Sequence, residues 1–203
     1  CSLYSPESAR RYHLCQRARY QGHRYPGLWR RRSSRICHQR LVRSFHGFGQ
    51  PAWEGEVREI TGLKAGIIGL GKSGGMIADA LRFFGAEIAY FARSEKEWAR
   101  EKGYRFLPLD QLLEQSEAVF CCLNKNTVLL HEAEFRKLGD KKILFNTGLS
   151  PAWDEEPFVK WLSGNNLCFC DTVGAWEVLT FWSIRMYDAY RPRQAAPAKR
   201  STV

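Results

Sequence analysis

The sequence GLGKSG, which begins at Gly69, constrains the fold of this chain more than any other segment. An apolar run, Lys64–Leu70, leads into it, and Met76–Phe84 follows it with apolar residues at helical spacing. The segment therefore predicts a tight turn between a buried strand and an amphipathic helix. Gly69 permits the turn, Gly71 lets the backbone approach a ligand, and Gly74 lets the helix pack closely against the strand.

Segments with strand and helix character alternate along the middle of the chain. The predicted strands are Lys64–Leu70, Glu87–Phe91, Tyr104–Leu107, Ala118–Leu123, Ile143–Asn146 and Leu167–Cys170. The predicted helices between them are Met76–Phe84, Glu95–Lys102, Asp110–Leu113 with Asp110 as its cap, Glu132–Leu138 and Asp154–Leu162. Apolar strands that alternate with helices predict an α/β fold, a doubly wound parallel sheet of the Rossmann type, with right-handed crossovers.

This pattern divides the chain into three predicted regions. Residues 41–175 carry the alternating elements, whereas residues 1–40 and 176–203 lack the apolar periodicity of a core. We therefore expect one domain with two poorly structured flanks, of which the first is rich in arginine.

A strand, a glycine turn and a helix in this order form a typical phosphate loop. The N–H groups and the positive end of the helix dipole face the pyrophosphate of a dinucleotide, and Lys72 and Ser73 are expected to add contacts there. A purely structural turn is the alternative for any glycine-rich string. The position of the string among six alternating strands favours a dinucleotide site.

The end of the second predicted strand bears on the choice of cofactor. An NAD site normally has Asp or Glu there, about 20 residues after the loop, to bind the ribose 2′-hydroxyl. In this chain Phe91 is followed by Ala92, Arg93 and Ser94. Arg93 can pair with a 2′-phosphate and Ser94 can donate to it, so we predict that NADP(H) is preferred and that NAD(H) is the second choice. A solvated loop arginine is the alternative.

The net charge of +10 is concentrated at one end of the chain. Residues 1–43 contain 11 arginines and one acidic residue, Glu7, whereas the rest of the chain has equal numbers of basic and acidic residues. Arginine interleaved with aromatic residues is compatible with a nucleic-acid arm or a transit peptide. The abrupt change in composition favours a flank that is disordered or foreign to the domain, so we do not expect nucleic acid as a partner.

Cysteine usage and hydropathy suggest a cytoplasmic protein. The seven cysteines form no pair of C-x-x-C motifs, so no metal site is predicted, and four of them lie in apolar strand-like segments. No apolar run approaches the roughly 18 residues needed to cross a bilayer, which excludes a membrane-spanning role.

Residues 41–175 resemble the cofactor domain of the D-isomer-specific 2-hydroxyacid dehydrogenases, which include glyoxylate and hydroxypyruvate reductases. The resemblance rests on several segments in the family's order: Leu41–His46 with Trp53, Leu63–Gly71, Pro108–Leu113, Cys122–Thr127, Asn146–Thr147 and Asp171–Val173. It implies hydride transfer between a nicotinamide and a small 2-keto or 2-hydroxy acid, and a homodimer formed through this domain.

The resemblance also implies roles for individual residues. Asn124, at a position that is usually proline, and Thr127 are expected near the cofactor, and Thr147 and Asp171 at its nicotinamide end. For Thr127 and Asp171, helix capping is the alternative.

The family's catalytic Arg, Glu and His are not found at their expected positions. Asn146 and Thr147 are followed by GLS instead of the Arg, Glu177 lies in unmatched surroundings, and no histidine follows His131. His131 itself is interpreted as a surface residue at a helix start. Two functions therefore remain open: a 2-hydroxyacid dehydrogenase whose catalytic set is incomplete in this chain, and a non-catalytic dinucleotide-binding module that regulates association.

Overall fold

The computed structural model describes residues 28–47 and 52–170, with side chains from Ser33 onward. The predictions for Asp171, for Glu177 and for residues 1–27 and 176–203 lie outside the described residues.

Six strands of the described part of the chain form one sheet in which every pair is parallel. The strands are β1 (Lys64–Ile68), β2 (Glu87–Phe91), β3 (Arg105–Phe106), β4 (Ala118–Cys121), β5 (Ile143–Asn146) and β6 (Leu167–Cys170). Their order across the sheet is β3-β2-β1-β4-β5-β6, so the direction of winding reverses between β1 and β4. The predicted doubly wound Rossmann fold is confirmed, and its ligand site is expected at this reversal, beyond the carboxyl ends of the strands.

Within the described residues, six helices flank the sheet. They are α1 (Leu28–His46), α2 (Lys72–Phe83), α3 (Glu97–Glu101), α4 (Leu109–Gln115), α5 (Glu132–Leu138) and α6 (Glu155–Leu162), and a 3₁₀ turn covers Trp53–Gly55. One core lies between the sheet and α1, α2 and α3, and the other lies between the sheet and α4, α5 and α6. Both faces of the sheet are therefore covered, as its nearly continuous apolar strands predict.

Helix α1 is the largest difference from the sequence prediction. It starts at Leu28, although residues before Leu41 were expected to lack regular structure. The buried side of its first half is made of small residues, Ser33, Ser34 and Cys37, followed by Leu41. These residues recur at helical spacing and let α1 pack closely on α2, where the Ser34 hydroxyl donates to the Met76 carbonyl at 3.3 Å.

Several element ends also differ from prediction. Asp110 does not cap α4, because the helix begins at Leu109 with Pro108 as N-cap, and Asp110 lies in its first turn. Helix α2 begins at Lys72, directly after the N-cap Gly71, rather than at Met76. The glycine loop therefore runs straight into the helix.

Candidate functional site

Gly69 and Gly74 hold the turn between β1 and α2 in a close-packed form. Gly69 has φ +92°, which favours glycine, and a Cβ there would lie 2.8 Å from the Cys122 carbonyl oxygen. A Cβ on Gly74 would lie 2.3 Å from the Gly69 carbonyl oxygen. Any side chain at Gly74 would therefore push the helix away from the turn.

Gly71 differs from both neighbours, because its missing side chain faces open space. A Cβ built there meets no atom within 4 Å, and the residue has φ −89°, which any residue can adopt. The protein itself thus does not require glycine at this position. An open cradle over bare backbone is what a pyrophosphate approaching the loop requires, so the structure fits the dinucleotide that the sequence predicts.

The first turn of α2 supplies the groups that face this cradle. Lys72 is exposed and Ser73 is half-buried, and both belong to the first turn of the 12-residue helix. Backbone N–H groups in the first turn of a helix have no intrahelical acceptor. They can donate to an anion, and the positive end of the helix dipole strengthens that interaction.

The loop after β2 carries three polar residues, Arg93, Ser94 and Lys96, at the carboxyl edge of the sheet. Arg93 and Ser94 are exposed. The Lys96 backbone N–H donates to the hydroxyl of the buried Tyr90 at 2.8 Å, and the Lys96 Nζ lies 3.5 Å from the Ser94 Oγ. The tyrosine thus fixes where the loop turns back over the end of β2. Lys96 was not predicted as a site residue.

A groove of about 480 Å³ connects this loop to the glycine loop. Gly71, Lys72 and Lys96 are among the residues that line it, and Trp98, another lining residue, lies against Gly75. The two lysines therefore share one groove with Gly71. The position directly after β2, where an NAD site has an acid, is Ala92, and the first acid of the loop is Glu95.

Among the described residues that line the groove, Asp79 is the one carboxylate, and its charge is paired with that of Lys102. Its Oδ1 accepts from the Lys102 Nζ and from the Tyr104 hydroxyl, each at 2.7 Å. Burial and the bond to Asp79 raise the pKa of Tyr104, so Tyr104 remains a hydrogen-bond donor. The groove consequently has an excess of positive charge near Lys72 and Lys96.

The segment after β4 leaves the sheet at the winding reversal, where Cys122 and Leu123 lie against Gly69 of the glycine loop. Asn124 is exposed and Thr127 is half-buried. Asn126 has φ +61°, and its N–H donates to the Ser150 Oγ at 2.7 Å, which ties this segment to the loop after β5. Helix α5 has His131 as its N-cap, so Thr127 does not cap it, and the capping alternative for Thr127 is wrong.

Thr147 lies at the carboxyl end of β5, where the nicotinamide end was predicted. It is buried, its N–H donates to the Cys121 carbonyl at 2.9 Å, and its Oγ1 lies 3.2 Å from the same oxygen. Its hydroxyl therefore bonds to the end of β4 and fixes the loop that follows β5.

Comparison with known proteins agrees with this architecture. The family model described as "D-isomer specific 2-hydroxyacid dehydrogenase, NAD binding domain" matches residues 36–171. The chain belongs to the D-isomer-specific 2-hydroxyacid dehydrogenase family. The matched residues are its NAD-binding domain.

Individual 2-hydroxyacid dehydrogenases show the extent of the match. A glyoxylate reductase of Thermococcus onnurineus is 33% identical over 118 residues, which are 54% of this chain and 35% of that protein. A putative 2-hydroxyacid dehydrogenase of Staphylococcus epidermidis is 32% identical over 109 residues, 52% of this chain and 34% of that protein. The chain thus spans about a third of the length of these curated relatives.

Among solved structures, D-lactate dehydrogenase from Aquifex aeolicus, complexed with NAD and lactic acid, shares the fold. It superposes with a TM-score of 0.65 at 19% identity and covers 86% of this chain and 54% of that one.

The loop after β5 departs from the 2-hydroxyacid dehydrogenase pattern. Asn146 organises it, with its Oδ1 accepting from the Gly148 N–H at 3.2 Å and its Nδ2 donating to the Ser150 carbonyl at 3.0 Å. The Leu149 side chain, 58% exposed, projects from the turn where the family pattern implies the substrate-binding Arg. An apolar side chain at this point cannot bind a carboxylate.

His131 lies at the start of α5, and its contacts give it a structural role that involves no catalysis. Its Nδ1 lies 2.6 Å from Asp154 Oδ2, and that hydrogen bond raises the pKa of His131. Both residues are exposed and start helices, α5 and α6 respectively. Leu130 and Trp153 bridge the same two segments. The pair therefore joins two helix starts.

Within residues 28–47 and 52–170, no group of three or more His, Cys, Asp or Glu side chains could hold a metal ion. Over the same residues, no helix combines the length and the apolar character needed to span a membrane.

Proposed function

We propose that this domain binds NADP(H) in preference to NAD(H) and serves a reductase that acts on a small 2-keto or 2-hydroxy acid. The observation that carries the proposal is the pairing of an open glycine cradle with Arg93 and Ser94 at the end of β2, the place where an NAD site has an acid. Gly71 leaves room for a pyrophosphate. Arg93, Ser94 and Lys96 offer hydrogen-bond donors and positive charge to a 2′-phosphate.

Each part of the site has its own task in this proposal. The first turn of α2, with Lys72 and Ser73, binds the pyrophosphate. Arg93 binds the 2′-phosphate, and Lys96, held in place through Tyr90, adds the second charge. Asn124 and Thr127 lie near the bound cofactor and Thr147 lies at its nicotinamide end, a role that the family resemblance also implies for Asp171. A bound nicotinamide supplies or accepts the hydride.

The preference is tested by calorimetric titration of NADPH and NADH against the intact chain and its Arg93→Asp variant. Losing a charge-assisted hydrogen bond costs about 1.5–3 kcal/mol, so NADPH affinity should fall about tenfold to a hundredfold. NADH affinity should change little, because its 2′-hydroxyl can bond to the new carboxylate.

A matched control is Arg136→Asp, which makes the same charge change on the exposed surface of α5. It should leave both affinities unchanged. An unchanged NADPH preference in Arg93→Asp, or an equal loss in both variants, would reject the phosphate role of Arg93.

A non-catalytic dinucleotide-binding module is the second candidate, and exposed Leu149 favours it because a leucine stands where the carboxylate-binding Arg is implied. Turnover decides between the two. NADPH oxidation by the intact chain with glyoxylate or hydroxypyruvate supports the reductase. Tight NADPH binding without turnover of either acid supports the module.

We further propose that the domain acts in the cytoplasm as a homodimer. The described cysteines, Cys37, Cys121, Cys122, Cys168 and Cys170, are all reduced thiols, as a reducing compartment requires. At the end of α2, Phe83 is 84% and Phe84 is 51% exposed, and their rings pack edge to face. An exposed aromatic pair of this kind is typical of a protein interface.

A further inference from the structure

Tyr90 is a buried tyrosine whose hydroxyl bonds to a loop rather than to the core around it. The residue is 0% exposed, and its ring centroid lies 5.4 Å from that of Phe106. Its hydroxyl accepts from the Lys96 backbone N–H at 2.8 Å. A phenylalanine would fill the same apolar space, so packing alone does not require the hydroxyl. A buried tyrosine hydroxyl does require a hydrogen-bond partner, and its partner here is the loop after β2.

Two hydrogen bonds hold the ends of the loop that follows β2. At its start, the Gly69 N–H donates to the Phe91 carbonyl at 2.9 Å, which ties the end of β2 to the glycine loop. At its end is the bond from Lys96 to Tyr90. Residues 92–95, between these bonds, belong to no helix or strand. The path of the loop therefore depends on its two fixed ends.

Lys96 also connects this loop to α3. It is the N-cap residue of α3, and its carbonyl accepts from the Ala99 N–H at 3.0 Å and from the Arg100 N–H at 3.1 Å. Its backbone is therefore bonded to β2 through the N–H and to α3 through the carbonyl. The Tyr90 hydroxyl thus fixes the point at which the loop ends and the helix begins.

We propose that Tyr90 is a positioning residue for cofactor choice, whose hydroxyl holds the loop in the form that presents Arg93 and Ser94 to the 2′-phosphate of NADP(H). This inference rests on the proposed function. Tyr90 is buried whereas Arg93 and Ser94 are exposed, so it acts through the loop and not on the phosphate. A loop that is already fixed loses less conformational entropy when it binds its ligand.

The glycine cradle does not depend on the Tyr90 hydroxyl. The Gly71 N–H donates to the Gly69 carbonyl at 3.0 Å, and the Gly75 N–H donates to the Gly71 carbonyl at 2.8 Å. Neither bond involves the loop after β2. The pyrophosphate, which NADPH and NADH share, should therefore bind equally well with and without the hydroxyl. Only the dinucleotide that carries a 2′-phosphate should bind more weakly when the hydroxyl is lost.

The test is calorimetric titration of NADPH and NADH against the intact chain and its Tyr90→Phe variant. The variant keeps the ring and loses one hydrogen bond, so NADPH affinity should fall about threefold to tenfold while NADH affinity stays unchanged. An equal fall for both dinucleotides would indicate general damage to the domain. An unchanged NADPH affinity would show that the bond does not position the loop. Either result overturns the role of Tyr90.

The wild type separates this inference from the proposed function. If it prefers NADPH and Tyr90→Phe keeps that preference, only the role of Tyr90 is rejected. If the wild type binds NADH as tightly as NADPH, the proposed preference and the role of Tyr90 both fail.

Amide hydrogen exchange tests the bond itself, and it does so in the wild type even if the variant folds poorly. The Lys96 amide should be protected in the intact wild-type chain and should exchange faster in Tyr90→Phe. An unprotected Lys96 amide in the wild type would contradict the proposal.

A second substitution tests whether Tyr90 acts through the residue that it positions. In an Arg93→Ala background, Tyr90→Phe should lower NADPH affinity by a smaller factor than it does in the wild type, because the positioned side chain is absent. The same factor in both backgrounds would reject positioning of Arg93.

Ser116→Ala is the matched control. It removes another buried hydroxyl, which donates to the Leu112 carbonyl at 2.6 Å just before β4, at the opposite edge of the sheet. It should leave both affinities unchanged. A loss of NADPH affinity as large as that in Tyr90→Phe would show that loss of any buried hydroxyl is sufficient, and would overturn the proposal.

Discussion

Gly71 and Gly74 are required for different physical reasons, and their alanine variants should separate these reasons. At Gly74 the added Cβ would lie 2.3 Å from the Gly69 carbonyl oxygen, so the helix must shift. We expect Gly74→Ala to lower the free energy of unfolding by about 1–3 kcal/mol in urea denaturation. Gly71→Ala, whose Cβ meets nothing within 4 Å, should leave it unchanged or slightly raised. Equal destabilisation of both variants would contradict this distinction.

His131 should make stability depend on pH through its hydrogen bond to Asp154. That bond raises its pKa in the folded protein above the unfolded value of 6.5. The stabilisation is therefore fully present below about pH 6.5 and is lost as pH rises through the folded-state pKa. The measurement is the difference in free energy of unfolding between wild type and Asp154→Asn, from about pH 5.5 to about pH 8.5.

Asparagine is about as effective as aspartate at capping a helix, so Asp154→Asn should preserve the start of α6. The difference between the two proteins should shrink towards high pH. A difference that stays constant, or grows as pH rises, would show that the charge of His131 does not contribute.

Among the helices, α1 is expected to belong to the folded domain despite its arginine-rich sequence. Leu41 is fully buried against the core that α1 shares with α2. Leu41→Ala should therefore lower the free energy of unfolding by about 2–5 kcal/mol in urea denaturation. Arg40→Ala, at the neighbouring exposed position, should have little effect. If both variants unfold like the wild type, α1 does not pack on the domain in solution.

The sequence predicted β2, α5, β5 and β6 with their observed ends, because each is an apolar or amphipathic run between clear breaks. It missed the first half of α1 because Ser33, Ser34 and Cys37 form the buried side. Small residues carry little apolar signal, although they pack well between helices. A search for small residues at helical spacing would have found α1.

The site was predictable where local chemistry defines it and unpredictable where the fold brings distant residues together. The glycine loop and the missing acid after β2 can be read from short segments. The groove that joins Lys72 to Lys96 depends on a bond between Lys96 and Tyr90 and on Trp98 packing at Gly75. Neither contact has a signature in the sequence.

For the whole molecule, we expect the aromatic pair at the end of α2 to mediate dimer formation. Phe83→Lys should convert a dimer into a monomer in size-exclusion chromatography with light scattering, because a buried charge without a partner is costly. Val57→Lys is the matched control, since Val57 is 68% exposed but lies before β1. A wild-type monomer, or a Phe83→Lys variant that remains dimeric, would exclude this interface.

The open cradle at Gly71 is expected to bind the pyrophosphate of a nicotinamide dinucleotide. This binding is tested most directly by calorimetric titration of NADPH into the wild type and into Gly71→Val. Valine at this position meets no protein atom at its Cβ but occupies the space above the loop. We predict saturable binding of one NADPH per chain by the wild type, and an affinity at least about tenfold lower for a variant of unchanged stability. Equal affinities, or no binding by the wild type, would contradict this expectation.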